Sequence, residues 1–272
     1  MMHKMYKIVS DIERESMRTL LSKRRRIDGR GLEDFRKIEI ETGVVEKAEG
    51  SAMVKLGDTK VVVGVKAEIG APFPDTPNKG VLTVNAEFVP TASPFFEPGP
   101  PDEDAIELAR VVDRGLRESE AIDLEKLCLV EGEKVWILFV DLYILDHSGN
   151  LFDASALGAI AALLTTKIPK VEVQEDEIKV LDEEVPLPMR HIPVSVTFAK
   201  IGDSIIVDPC IEEEQVMDAC LTITVDEEGH LVSMQKGGSG TFDVNDINYM
   251  LETALRKAKD LREKLPKVSL GD

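Results

Sequence analysis

The amino-acid sequence predicts an α+β fold built from two similar halves, and three observations carry that expectation. Two segments, VKLGDTKVVV at 54–63 and FAKIGDSIIV at 198–207, share a Lys-x-Gly-Asp-Thr/Ser turn running into β-branched residues, the pattern of a tight hairpin. Each is followed, after further strand-like sequence, by a long helical pattern, 102–122 in the first half and 243–265 in the second. Between them lies VWILFVDLYIL at 135–145, a continuous apolar run suited to a central strand covered on both faces. Two copies are too few for a solenoid. The repeat therefore argues for one pseudo-symmetric unit with helices packed against sheets.

Residues 4–22 open the chain with Ile8, Ile12, Met17, Leu20 and Leu21 among charges, an approximate helical stripe. It ends before the basic run Lys23, Arg24, Arg25, Arg26 and the turn-like IDGRG at 27–31. From 38 to 69 β-branched alternation is broken at Gly43, Gly50 and Gly57-Asp58, which predicts an antiparallel meander. The stretch 85–105 is proline-dense. Pro98, Pro100 and Pro101 fix φ just before acidic residues begin a helix, so this is a rigid loop that either exposes Phe95 and Phe96 or tucks them under. After the central strand, Asp153 or Ser155 is expected to cap ALGAIAALL, a helix apolar nearly all round and hence buried. The organisation expected is a leading helix in 1–25, one domain over 26–265 with halves of about 26–145 and 146–265, and a tail at 266–272.

With 272 residues and 43% hydrophobic content the chain can bury a large core. No run reaches the roughly 18 apolar residues of a membrane span, and the charged start at 1–8 lacks the apolar block of a secretory signal. The expectation is a cytoplasmic protein without a membrane. Cys128, Cys210 and Cys220 form no CxxC pair and read as small core residues. Thirty-three basic residues stand against 51 acidic ones, a net charge of −18 that works against simple nucleic-acid binding. RNA contact would have to be local or shared. The two local exceptions are the run at 23–26 and the trio Arg110, Arg114 and Arg117.

The trio lies along one stripe of a helix, being spaced by four and then three residues, and a stripe of guanidinium forks suits phosphates. Pairing with Glu107, Glu118 or other carboxylates is the alternative. Asp208, Glu212, Glu213, Glu214 and Asp218 cluster after the second hairpin, where they could hold a divalent metal, do acid-base work or form a solvated loop. The HSGN at 147–150 precedes a helix and could offer backbone N–H groups to a phosphate, or be a plain turn. GGSG at 237–240 lacks the spacing and lysine of a phosphate loop and reads as a flexible connection. His3, His147, His191 and His230 show no metal-ligand spacing, and nothing marks a covalent nucleophile.

Three segments together, RRRIDGRGLEDFR at 24–36, EFVPTASPFFEPGPPDEDAIELARVVDRGLRES at 87–119 and SGNLFDASALGAIAAL at 148–163, resemble the RNase PH family over roughly residues 20–265. The proline-rich loop running into ELARVVDRGLRES resembles the archaeal exosome branch whose members alternate with a catalytic sister in a six-membered ring. The resemblance implies an RNase PH-like fold, of the ribosomal protein S5 domain 2-like kind. It also implies a trimer of heterodimers, single-stranded RNA as substrate, and RNA-binding cap proteins as further partners. In catalytic members, it implies, a Gly-Gly-Thr/Ser-Arg motif binds the attacking phosphate; here the stretch reads Ser148, Gly149, Asn150, Leu151, and leucine has no charged fork. The family's acidic motif, three aspartates spaced by six, maps to Asp208, Glu214 and Cys220, and a thiol is not a hard oxygen ligand; a register two residues earlier would put Asp218 third. The resemblance places Arg110, Arg114 and Arg117 on positions facing RNA across the subunit interface. The expectation is a subunit without catalytic residues, metal or cofactor of its own, its alternatives being a self-sufficient phosphorolytic exoribonuclease or an interaction scaffold without RNA contact.

Overall fold

The computed structural model describes residues 10–174 and 177–267. Ser10 caps the first helix, α1 (Asp11–Ser22), through a capping box with Glu13. Met17 and Leu21 of its inner face pack on a small cluster with Ala199, Ile201, Ile206 and Val216. Ile12 and Leu20 point outward, so the stripe read from the sequence is narrower than expected; Ile8 and His3 lie outside the described residues.

The meander expected at 38–69 is present as β1 (Ile38–Thr42), β2 (Gly50–Leu56) and β3 (Thr59–Gly70). β3 continues antiparallel onto the long β6 (Lys134–Asp146), which pairs in parallel with β4 (Val81–Phe88) and at its start with short β5 (Cys128–Val130), completing a six-stranded sheet. The parallel crossover from β4 to β6 runs through α2 (Glu103–Glu118). After β6 come α3 (Leu151–Thr165) and an outlying hairpin, β7 (Lys167–Gln174) with β8 (Glu177–Pro186). The second sheet has the order β10-β9-β11-β12, from β9 (Val194–Ile201), β10 (Ser204–Val207), β11 (Ala219–Val225) and β12 (Leu231–Gly238). The short α4 (Ile211–Val216) follows β10, and α5 (Val244–Arg262) lies across β9 and β11.

The two hairpins read as a repeat are the β2–β3 and β9–β10 turns, closed by the pairs Leu56 with Thr59 and Ile201 with Ser204. Gly57 and Gly202 have φ of +58° and +60°, and positive φ at the first central residue alone is the signature of a type II′ turn. That is why the repeat keeps Gly first and tolerates Asp second.

The core lies between the sheets. α3 packs on β2 and β3 from one side and on β9 from the other, and every residue from Leu151 to Leu164 except Ala156 is buried. Three expectations are corrected here. The α3 cap is Asn150, neither Asp153 nor Ser155: its backbone is left-handed with φ of +52°, which Asn tolerates, and its side chain accepts from the Asp153 amide. The central strand is covered fully on one face only, with Leu138, Val140, Leu142 and Ile144 inward while Tyr143 and Leu145 are 40% and 41% exposed. The proline-rich loop treats its two aromatics differently: Phe96 is buried, stacked on Phe88 with ring centroids 4.6 Å apart, and Phe95 is exposed. No helix among the described residues is long and apolar enough to cross a membrane.

Candidate functional site

α2 begins where Asp102 accepts a hydrogen bond from the Ala105 amide at 2.9 Å, with Glu103 and Asp104 in the favourable first turn. Leu108, Val111, Val112 and Leu116 are buried, which turns Arg110, Arg114 and Arg117 outward. The structure separates these three chemically. Arg110 is exposed and makes no side-chain hydrogen bond or ion pair among the described residues. Arg114 donates to the Gln235 amide oxygen at 3.1 Å, and Gln235 in turn donates to Glu107, so a neutral amide couples β12 to this helix. Arg117 forks onto Asp113 at 2.7 and 3.2 Å and donates to the Leu82 carbonyl at 2.9 Å. Its charge is thus matched by the residue four places earlier, the carboxylate alternative in a form the sequence left unspecified.

Beside the first turns of α2 opens a cavity of about 500 Å³ walled by Glu107, Phe152, Glu214, Asp218, Cys220 and Lys236, among others. Glu214 and Cys220, two of the positions read from the sequence, face it. Leu151 does not: it is 1% exposed inside the main core, and successive helical residues point about 100° apart, so the wall is its neighbour Phe152. Phe152 is as unable as leucine to grip a phosphate. Burial, with the Glu214 charge adding to it, pushes the Cys220 thiol up to about 11, so it is protonated at neutral pH. Facing it, a Cβ on Gly237 would come within 2.7 Å of the Cys220 sulfur; the glycine run expected to be a flexible link begins at a point of close packing.

The loop before α3 does not line this cavity and touches its wall only through Glu214. Three successive backbone amides that a phosphate would use are already taken by the protein itself: Ser148 donates to Thr59 Oγ1 at 3.1 Å, Gly149 to His147 Nδ1 at 3.4 Å and Asn150 to Glu214 Oε1 at 2.7 Å. The Glu214 carboxylate stands where a helix N-terminus would otherwise draw in an anion from solution. Thr59, just past the first repeated turn, supplies one acceptor; the sequence marked that turn but gave no sign of its reach to residue 148.

Of the acidic cluster only Glu214 and Asp218 line this cavity. Asp208 is wholly buried, left-handed with φ of +51°, and its carboxylate is held by Arg30 at 2.8 Å, by Arg36 at 2.7 Å and by the side-chain Nδ2 of Asn150 at 2.8 Å. Burial works against the charge of Arg36, but Asp208 outweighs it and raises the guanidinium's proton affinity. Glu213 pairs with Arg26, both side chains fully buried, so this member of the basic run is structural and only Lys23, Arg24 and Arg25 are exposed. Asp218 is bound by Arg18 at 3.1 Å and by the Gly202 amide at 2.7 Å. A divalent cation at the three expected positions would compete with two arginines at Asp208, meet an amide-bound carboxylate at Glu214 and find a protonated thiol at Cys220. These residues do not fit it, and substituting Asp218 meets Arg18 instead. No cluster of three or more His, Cys, Asp or Glu able to hold a metal is present among the described residues.

The sequence matches the model of the 3′ exoribonuclease family, domain 1, over residues 34–169 and of its domain 2 over residues 191–257. The chain belongs to this family. Exosome complex component Rrp42 of Thermococcus kodakarensis is 58% identical over 262 residues, covering 96% of each chain, and its namesake from Methanothermobacter thermautotrophicus is 52% identical with the same coverage. A solved structure described as the Archaeoglobus fulgidus exosome with RNA bound to the active site superposes with a TM-score of 0.87 at 56% identity, covering 93% of this chain and 98% of that one. Rice Rrp46, 18% identical with a TM-score of 0.68, shares the fold. The RNase PH-like architecture expected of a 3′ exoribonuclease family member is therefore the one observed, with the two family domains centred on the two sheets.

Proposed function

We propose that this chain is the non-catalytic subunit of an archaeal-type exosome, in which it shapes a ring with a catalytic RNase PH-like sister and grips single-stranded RNA. The observation that carries the reading is the occupation of the Ser148, Gly149 and Asn150 amides by Thr59, His147 and Glu214. The resemblance puts the phosphate-binding motif of catalytic members at these positions, where an oxygen of inorganic phosphate attacks the terminal phosphodiester and a nucleoside diphosphate is released. Here the amides are spent within the fold, the wall residue is Phe152, and the acidic motif has no metal-binding geometry. The Rrp42 names of relatives covering nearly the whole chain support the same assignment. The proposed assembly is a trimer of heterodimers in the cytoplasm, open to RNA-binding cap proteins. This chain would bring Arg110, Arg114 and Arg117 to the shared RNA groove and contribute no metal or cofactor.

Incubating the purified chain with oligoadenylate and inorganic phosphate, alone and with the catalytic sister, tests the reading. ADP should form only in the mixture. ADP from the chain alone would overturn it.

A further inference from the structure

The guanidinium stripe of α2 ends at a second cavity, of about 240 Å³, some three turns of helix from the first and unconnected with the degenerate site. Its floor is apolar, formed by the buried side chains of Leu82, Leu116 and Ile122. Arg117 stands at its rim, and Phe73 lies against it with 52% of its surface exposed.

Phe73 is not loosely placed. The Thr76 amide donates to the Phe73 carbonyl at 3.1 Å and the Lys79 amide to the Thr76 carbonyl at 3.2 Å, so Pro74 and Pro77 each occupy the second position of a β-turn, where their fixed φ is favoured. The Gly132 amide donates to the Pro77 carbonyl and the Gly80 amide to the Leu124 carbonyl, pinning the loop to the body. A large aromatic ring is thus held out to solvent on a stiff support. Arg117 is likewise fixed, its Nε and one terminal nitrogen committed to Asp113 and Leu82, while its other terminal nitrogen carries two hydrogens with no partner among the described residues.

We propose that this cavity is a nucleotide subsite for single-stranded RNA, in which a base stacks on Phe73 over the apolar floor and the unpaired Arg117 nitrogen donates to the base edge or its phosphate. Stacking on an aromatic face is tolerant of base identity, as a processive degrader requires. The subsite rests on the proposed RNA-binding role, since its position at the end of the arginine stripe makes RNA the occupant rather than a protein side chain.

The experiment uses the chain assembled with its sister and an oligoadenylate probe. Phe73→Leu keeps apolar volume and removes the ring; it should weaken binding about tenfold, within the range of one base–aromatic stack. Phe73→Trp should preserve affinity and show fluorescence quenched by the probe, against a background of the single native Trp136, which is 5% exposed. Arg110→Glu is run in parallel. If it abolishes binding while Phe73→Leu binds normally and the introduced tryptophan is unquenched, the subsite is wrong and the RNA-binding role stands. If Phe73→Leu instead breaks the ring on gel filtration, Phe73 serves a protein neighbour and the subsite is overturned. If Arg110→Glu and Phe73→Leu both leave binding intact, the RNA-binding role falls and the subsite with it.

Discussion

His147 shows how much a single side chain settles in this loop. Its ring lies against Phe96, centroids 5.7 Å apart, and its Nδ1 accepts from the Gly149 amide, which assigns the proton of the neutral imidazole to Nε2. Burial, helped by the nearby Arg36 charge and opposed by Asp146, holds its pKa down at about 4 against an ordinary 6.5. Between those values the unfolded chain binds a proton that the folded chain refuses. Stability therefore falls as pH drops through about 6.5 and levels off below about 4. Across that window the contribution is on the order of 3 kcal/mol. His147→Gln keeps an acceptor for Gly149 and cannot titrate. Urea unfolding of both proteins at pH 7, 5.5 and 4 should show the wild type losing stability relative to the variant at each step, and parallel pH profiles would refute the assignment. The sequence offered His147 only as a histidine without ligand spacing; its role depends on a ring contact and an amide that no spacing encodes.

At the level of elements, what the sequence made legible was local. The Gly-Asp turns and the helices α2 and α5 each rest on residues a few places apart. What it concealed was non-local: Arg36 meets Asp208 across 172 positions and Arg26 meets Glu213 across 187, pairings that periodicity cannot announce. The helix α3 sits between these cases. Its all-round apolarity correctly signalled burial, but the closeness of its approach to β3 turns on Gly158, where an added Cβ would come within 2.7 Å of Val63 Cγ2. Gly158→Ala should gain helix propensity of up to about 1 kcal/mol and lose more, roughly 1–3 kcal/mol, to overpacking. A lower urea midpoint with unchanged slope is expected. Combining it with Val63→Ala should cost less than the two changes summed, by at least about 0.5 kcal/mol, since the second change makes room for the first. Strict additivity would show that the sheet, not Val63, absorbs the strain.

For the whole molecule the governing quantity is the net charge of −18, which leaves this chain few cations to spend on RNA. The three arginines of α2 are not equal in that respect: Arg110 is unpaired among the described residues, Arg114 is held by a neutral amide, and Arg117 is neutralised by Asp113. Binding of single-stranded RNA weakens with salt by a slope of about 0.7 in log–log terms for each phosphate neutralised. Arg110→Ala in the assembled ring should accordingly flatten the slope by about 0.7. The sharper test runs in the opposite direction. Asp113→Asn retains a hydrogen-bond acceptor for Arg117 but removes the opposing charge, so RNA should bind more tightly at low salt and the slope should steepen by about 0.7. Oligoadenylate titrations at several salt concentrations read both quantities. If Asp113→Asn leaves slope and affinity untouched, the α2 stripe contributes shape rather than charge at its far end, and the ring's attraction for RNA must come from the sister subunit.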